Sequence, residues 1–207
     1  MQPTCIYIVG AQSTGKTTLV NALEASYDDG NLALDRPVII REVARTVLSE
    51  YDFNAHDIST SAKRCSTIQT LILKAQCWHE ENALRTGSWF ISDRSGLDPI
   101  VYAERHVGPA FANEMMLMDE WKKHRDSLAR SLIFVCEITS AWLVDDGVRL
   151  MPTDWEDWKD YHELFCSRLH DLGLDFRVIP STMLNLQERV EYVWEEWNRS
   201  MREQLTT

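Results

Sequence analysis

No stretch of the sequence approaches the ~20 consecutive apolar residues that a membrane-spanning helix needs, so no membrane span is expected. The N-terminus enters an apolar strand almost at once, without a basic region followed by an apolar one, and a secretory signal is not expected either. There is no C-x-x-C pair. Cys5, Cys65, Cys77, Cys136 and Cys166 are scattered and odd in number, which speaks for reduced thiols and a cytoplasmic protein. Basic residues are in deficit, 21 against 32 acidic ones, for a net charge of −11. That balance argues against a chain that wraps nucleic acid or lies on an anionic membrane, while leaving room for a local basic pocket. Internal repeats, low-complexity tracts and signs of a second domain are absent too. The 207 residues are therefore expected to form one domain, with ample chain for a core.

What is present is concentrated near the start. Gly10-Ala11-Gln12-Ser13-Thr14-Gly15-Lys16-Thr17-Thr18 fits the phosphate-loop pattern G-x-x-x-x-G-K-[ST] at every required position. Before it, Cys5-Ile6-Tyr7-Ile8-Val9 reads as a buried strand; after it, Leu19-Val20-Asn21-Ala22-Leu23 opens a helix. Successive backbone N–H groups in such a loop form a concave anion site, and the helix dipole adds partial positive charge. Gly10 and Gly15 permit a close approach that a side chain would block. Lys16 reaches β- and γ-phosphates, and the Thr17 hydroxyl is a Mg²⁺ ligand. At average composition a chance match is expected in roughly one chain in a hundred of this length, and the correct flanks lower that further. A nucleoside triphosphate site is the expectation, with residues 10 and 12 to 18 holding ATP.

Downstream, Val38-Ile39-Ile40 reads as a second strand ending at Arg41-Glu42, with a helix over 43–50. Glu42 and Arg45 then fall at a C-terminal strand end, where an open parallel sheet keeps its ligand crevice; a solvated pair on a surface loop fits the sequence too. The cap-forming residues Asp57 to Ser61 precede a long helical pattern to about Arg85, with Ile68, Leu71, Ile72, Ala75, Trp78 and Leu84 as its apolar face. Gln69 and Gln76 share nearly one side of it, and two glutamines on a helix usually face solvent. The strand 88–92 delivers Asp93-Arg94-Ser95. Asp93 is placed to hold a Mg²⁺ water shell, to accept a proton, or merely to cap the next turn, and Arg94 to face phosphoryl charge.

After the turn Gly96-Leu97-Asp98-Pro99, helices are expected over about 100–105 and 111–129, the latter packing through Met115, Met118 and Trp121. Its Lys122-Lys123-His124-Arg125 run reads as a solvated helix end or a phosphate-facing patch. Residues 132–136 form the fourth strand. The irregular stretch of about 139–154 suits a lid that brings Arg149 to the phosphates and excludes water; an ordinary loop is the plainer reading. A helix over 155–172 buries Trp158, Phe165, Leu169 and Leu172; it also aligns His162, Cys166 and His170, a spacing that packing explains as well as metal ligation does. A fifth strand spans 176–179, and Pro180-Ser181-Thr182 is placed to touch an adenine ring. The last helix begins at Asn185 with Leu186, Val190, Val193, Trp197 and Met201 inward. Five strands alternating with helices predict an α/β three-layer sandwich with a parallel sheet and right-handed crossovers.

Taken together, these segments resemble the NadR-like group of phosphate-loop kinases, closest to its single-domain fungal members. The matching segments are Val9 to Thr18, Arg41-Glu42-Val43-Ala44-Arg45, Ile91-Ser92-Asp93-Arg94-Ser95, Leu97-Asp98, Asp145-Asp146-Gly147-Val148-Arg149 and Glu188-Arg189-Val190. The resemblance implies a nucleoside/nucleotide-kinase sheet of order 2-3-1-4-5 with a lid after the fourth strand. It further implies Asp93 near Mg²⁺, Arg94 facing phosphate, Glu42 as the carboxylate that takes the acceptor's proton, Gln69 as a reader of a base, and Arg149 as the lid arginine. The acceptor pocket matches no characterised substrate. The expected function is an ATP- and Mg²⁺-dependent kinase of a small nucleoside-like hydroxyl compound. Lys16 and Arg149 would stabilise transferred charge, Glu42 or Asp93 would serve as base, and Arg45, Gln69, Arg94 and Asp98 would shape the acceptor site. A GTP- or ATP-regulated binding module, linked to phosphoinositides, and a simple NTPase are the alternatives. The lack of an N-K-x-D signature favours ATP.

Overall fold

The computed structural model describes residues 3–27, 35–87, 89–139 and 154–206. The expected lid, Arg149 and the turn at 28–31 lie outside them. Five parallel strands form one sheet in the order β2-β3-β1-β4-β5: β1 (Ile6–Val9), β2 (Val38–Ile40), β3 (Phe90–Asp93), β4 (Leu132–Cys136) and β5 (Arg177–Ile179). The three central strands are buried along their whole length, as continuous apolar runs covered on both faces require. The edge strands β2 and β5 are partly exposed.

Register decides what the sheet presents at one end. Ile8 sits opposite Asp93 on one side and Phe134 on the other, so Gly10, Arg94 and Cys136 come together at the carboxyl ends of β1, β3 and β4. This is where an open α/β sheet puts its ligand crevice. The helices α1 (Lys16–Ser26) and α9 (Leu186–Thr206) pack together. Trp89 stacks on Trp197 with centroids 4.7 Å apart, and Trp197 Nε1 donates to Thr4 O at 2.8 Å, fixing α9 to the sheet.

Several elements differ from the sequence reading. Residues 57–60 belong to a short helix of their own, α3 (Ala55–Thr60); Ser61 then caps α4 (Ala62–Arg85) by accepting from the Arg64 N–H. Leu97 to Pro99 are the first turn of α5 (Leu97–His106) rather than a loop, since a first-turn proline gives up no helical hydrogen bond. The expected helix over 111–129 is two, α6 (Pro109–Met116) and α7 (Asp119–Ala129), parted at an extended Met118 that no glycine or proline announces. Leu186 is exposed rather than inward, and Trp78 projects from α4 at 59 % exposure. The helices α2 (Val43–Glu50) and α8 (Trp155–Asp171) match their readings closely, and Trp158, Phe165 and Leu169 are buried. No helix among the described residues is long and apolar enough to cross a membrane.

Candidate active site

Backbone geometry makes the loop between β1 and α1. Gly10 has φ +123°, and a Cβ there would stand 2.8 Å from the Cys136 carbonyl oxygen. Only glycine lets the loop pass the end of β4. Ser13 (φ 57°) and Gly15 (φ 78°) also take left-handed backbone, curling the chain around a small concavity whose mouth is lined by residues 13–18 and Arg94. Thr14 Oγ1 donates to Ala11 O at 3.0 Å, and Lys16 Nζ donates to the same carbonyl while reaching Thr14 Oγ1 at 3.4 Å. Two distant helices brace the loop. Trp158 Nε1 donates to Gln12 O at 3.0 Å, and Arg189 donates through both terminal nitrogens to Thr14 O at 3.3 and 3.4 Å. Burial, helped by the nearby Arg94 guanidinium, pushes the Lys16 ammonium down to about 8 against the pull of Asp93. Ser13 Oγ is buried with no hydrogen-bond partner among the described residues.

Asp93 closes β3 directly opposite. Its Oδ2 accepts from Thr17 Oγ1 at 2.5 Å, while Oδ1 is buried without a partner among the described residues. Burial raises the Asp93 carboxyl above its ordinary value, more than Arg94, Lys16 and Thr17 lower it. A carboxyl group left short of partners beside a hydroxyl oxygen suits a hard divalent cation, and a nucleotide-bound Mg²⁺ needs few protein ligands because phosphates supply others. The donor set therefore fits Mg²⁺. No cluster of three or more His, Cys, Asp or Glu side chains suited to a metal occurs among the described residues. That includes the His162, Cys166 and His170 face, where Cys166 Sγ instead lies 3.8 Å from His162 Nε2 and His170 packs on Phe176.

Arg94 follows with φ 82°, a conformation that costs a non-glycine residue about 1–3 kcal/mol and persists only where neighbours impose it. Its N–H donates to Ile8 O at 3.0 Å, Nε to Glu42 Oε1 at 2.7 Å and Nη1 to Asp98 Oδ1 at 3.0 Å. Asp98 in turn accepts from Ser95 N and Oγ at 2.8 and 3.0 Å. The guanidinium thus forms one wall of the loop's mouth and, on its other side, of a mostly apolar cleft. An apolar cleft with a few placed polar groups is the usual form of a small-molecule site.

Charges in this cleft are paired with one another. Glu42 accepts from Arg94 on one oxygen and from Arg45 Nε on the other, at 2.7 Å each. Burial alone would raise Glu42, yet Arg94, Arg45 and Lys16 together hold it well below the usual carboxylate range. Between these ion pairs lie the neutral polar groups of Gln12, Gln69, Gln76 and Tyr102. Apolar surface comes from Val43, Leu48, Ile58, Ile72 and Pro99.

The structure therefore brings Lys16, Thr17, Asp93 and Arg94 together, and sets Glu42, Arg45, Gln69 and Asp98 around the adjoining cleft. Gln69 and Gln76 are buried, at 2 % and 1 % exposure, so both belong to the protein interior rather than to solvent. Gln12, read as a nucleotide residue, lines the cleft and has Tyr102 OH 3.5 Å from its Oε1. Ser181 lines neither cavity; its N–H donates to Glu137 Oε2 at 2.8 Å in the loop after β5. Sequence reasoning gave no site role to Gln76 or Tyr102, nor to Arg189 beyond a motif match. A glutamine, a tyrosine or an arginine inside an ordinary helix carries no signal of its own.

The chain can be set beside known proteins on this footing. The family model AAA_28, described as an AAA domain, matches residues 5–189. Among solved structures, a NadR protein in complex with NR matches with a TM-score of 0.69 and 19 % identity, covering 94 % of this chain and 51 % of that one. A NadR protein in complex with NAD and AMP-PNP gives 0.65 and 17 %, over 94 % and 49 %. Deoxyadenosine kinase from M. mycoides with bound dATP gives 0.64 and 17 %, over 94 % and 99 %. The chain spans about half the length of the two NadR chains and nearly all of the deoxyadenosine kinase. At such identities the likeness is one of fold. No curated protein matches the sequence.

Proposed function

The chain belongs to the AAA_28 family of AAA domains, and on that footing we propose that it is an ATP- and Mg²⁺-dependent kinase acting on a hydroxyl of a small, uncharged, nucleoside-like acceptor. One observation carries the reading: Arg94 is shared by the phosphate-loop mouth and by an adjoining, mostly apolar cleft that holds a hydrogen-bonded carboxylate. A hydrolase needs only the first cavity. A transferase needs both, with a cation at their junction.

The charge pattern narrows the acceptor. Glu42 and Asp98 are matched by Arg45 and Arg94, which leaves no surplus cation among the described residues of the cleft to receive a phosphate on the acceptor. The same-fold structures hold NR, AMP-PNP or dATP, which is in keeping with nucleoside-type ligands.

In this reading the loop amides and Lys16 grip the triphosphate, and Thr17 with Asp93 would hold Mg²⁺. When bound, Mg²⁺ offsets charge on the β- and γ-phosphates. The acceptor hydroxyl hydrogen-bonds to a free lone pair of Glu42, which points its oxygen at the γ-phosphorus. A bond forms from that oxygen to phosphorus as the bond to the β–γ bridging oxygen breaks, and ADP departs. Phosphoryl transfer runs through a loose transition state, so the hydroxyl becomes acidic only late. A carboxylate of low proton affinity therefore suffices as base, and its larger contribution is orientation. Arg94, already fixed between Glu42 and Asp98, faces the transferred group without reorganising. Gln69 offers its amide edge to a planar base. Arg149 is outside the described residues and enters no step.

The test is ATP consumption across nucleosides (NR and deoxyadenosine among them), their monophosphates and amino-alcohol metabolites, with mass spectrometry to locate the added phosphate. A neutral nucleoside should be phosphorylated at least ten times better than its monophosphate. Phosphate release indifferent to every acceptor would make the protein a simple NTPase. Guanine preference together with liposome binding would make it a regulated binding module.

A further inference from the structure

A closed ring of buried side chains, which meets the cleft only at Gln76, runs behind the turn that carries Arg94. His124 of α7 accepts from the Gly96 N–H through Nε2 at 2.8 Å, so its single proton sits on Nδ1 and is donated to Glu80 Oε2 at 2.8 Å. Glu80 also accepts from Tyr7 OH at 2.7 Å and from Gln76 Nε2 at 2.8 Å. Gln76 Nε2 donates again to Ser92 Oγ at 2.9 Å, and Ser92 Oγ donates to the Arg94 carbonyl at 2.8 Å. The ring therefore grips the turn on both sides of its strained residue, at the Arg94 carbonyl and at the Gly96 amide. None of Tyr7, Gln76, Glu80, Ser92 and His124 is more than 3 % exposed. Gly96 is glycine for the same reason: a Cβ there would meet the His124 ring at 2.8 Å.

Such a network is a poor way to build stability. Glu80 is a buried carboxylate held by neutral donors, and apolar packing of equal volume would serve a mere core at least as well. We propose that the Gln76–Glu80–His124 ring is a positioning device for phosphoryl transfer: it holds Arg94 in its left-handed conformation, so that Glu80 and His124 act on the reaction through Arg94 without touching substrate. The claim rests on the kinase reading above for its consequence, and on the hydrogen bonds alone for its geometry.

The primary variant is Glu80→Gln, which keeps the shape of the ring and sets an amide donor against Gln76 Nε2. His124→Gln is the second, retaining an acceptor for the Gly96 amide. Both are to be measured with MgATP, water serving as acceptor, in the full chain and again in an Arg94→Ala background. The expected result is a kcat about ten- to a hundredfold lower with the KM for MgATP within twofold of the parent, because small misplacements of a catalytic group act on the transition state. In the Arg94→Ala background the same changes should alter kcat less than twofold. Equal losses in both backgrounds, a KM that rises with the loss, or folded variants with unchanged kcat would each overturn the proposal. A parent that turns over MgATP neither with water nor with any acceptor of the screen above sinks the kinase reading instead. The Arg94 Nε–H resonance then decides the geometry: it should be sharp in the parent and shifted or broadened in Glu80→Gln, and an unchanged resonance would reject the ring's role.

Discussion

The loop's mouth and the adjoining cleft share one guanidinium and are electrostatic opposites. At the loop, burial works against the charges: the Lys16 ammonium is pushed down to about 8, the Asp93 carboxyl is pushed up, and Asp93 Oδ1 and Ser13 Oγ have no partner among the described residues. In the cleft the charges are reconciled in advance. Glu42 is held well below the ordinary carboxylate range, and Arg94 well above its own value despite burial, because Glu42 and Asp98 flank it. A site whose charges are strained without a ligand is one that a highly charged ligand relieves. A site whose charges already cancel welcomes a neutral one and rejects an ion. The contrast is the one that the proposed kinase reading requires between a donor side and an acceptor side, and it can be broken by experiment.

The largest expected effect is at the loop, and it has two signs. Lys16→Met should weaken MgATP binding more than a hundredfold by calorimetry, since it removes the cation that meets the phosphates. It should also stabilise the ligand-free protein. The lowered pKa of a buried lysine means that the unfolded chain binds more protons between about pH 8 and the ordinary value of 10.5. Stability of the parent therefore rises with pH across that window, and below it the charged lysine costs roughly 3 kcal/mol. Removing the charge should raise Tm by about 5–10 °C at neutral pH for a chain of this size. A fall in Tm would show that Lys16 is not strained. The same charge removal in the cleft should do the reverse. Glu42→Gln should lower turnover by about 10²–10⁴-fold and destabilise by about 3–5 kcal/mol, because Arg94 is left buried with half its partners. Should Glu42→Gln raise Tm instead, the cleft is not self-neutralised and the case for an uncharged acceptor falls with it.

This contrast also explains what could be read in advance. The loop is legible because backbone makes it from consecutive residues, so spacing alone identifies Gly10, Gly15, Lys16 and Thr17. The parallel sheet was legible in the runs 5–9, 88–92 and 132–136, which only strands buried on both faces produce. The cleft is assembled from side chains of β2–α2, α4, β3 and α5, and periodicity says nothing of which polar residue on a helix turns inward. Glu42 and Arg94 could be placed by their positions at C-terminal strand ends, whereas a site role for Gln69 came into view only through resemblance to a family. Gln76 was passed over as solvent-facing. His124 was hidden in a run of charged residues whose other members, Lys122, Lys123 and Arg125, are indeed exposed. The break at Met118 left no mark because its extended backbone needs neither glycine nor proline.

A smaller effect tests the strain at the loop from the ligand's side. Bound polyphosphate should return the Lys16 ammonium towards its ordinary value, so above about pH 8 binding takes up a proton. MgATP affinity should then be flat below pH 8 and fall by up to about tenfold per unit above it. Calorimetry in buffers of different ionisation enthalpy should count close to one proton taken up at pH 9 and close to none at pH 7. Proton release at pH 9 would reverse the assignment.

The smallest effect is the most discriminating within the cleft, because it separates the two arginines on Glu42. Arg45 donates to Glu42 from a side chain 41 % exposed, whereas that of Arg94 is 11 % exposed. Water can replace most of what Arg45 supplies, as it does for surface ion pairs worth about 0–1 kcal/mol. It has no access to replace Arg94. Arg45→Ala should therefore shift Tm by no more than about 2–4 °C and leave kcat within about fivefold of the parent, any larger change falling on the KM of the acceptor because Arg45 lines the cleft. A kcat loss for Arg45→Ala as deep as that for Arg94→Ala would mean that both guanidinium groups face the transferred phosphoryl, and the boundary between a charged donor site and a neutral acceptor site would have to be redrawn through Arg45.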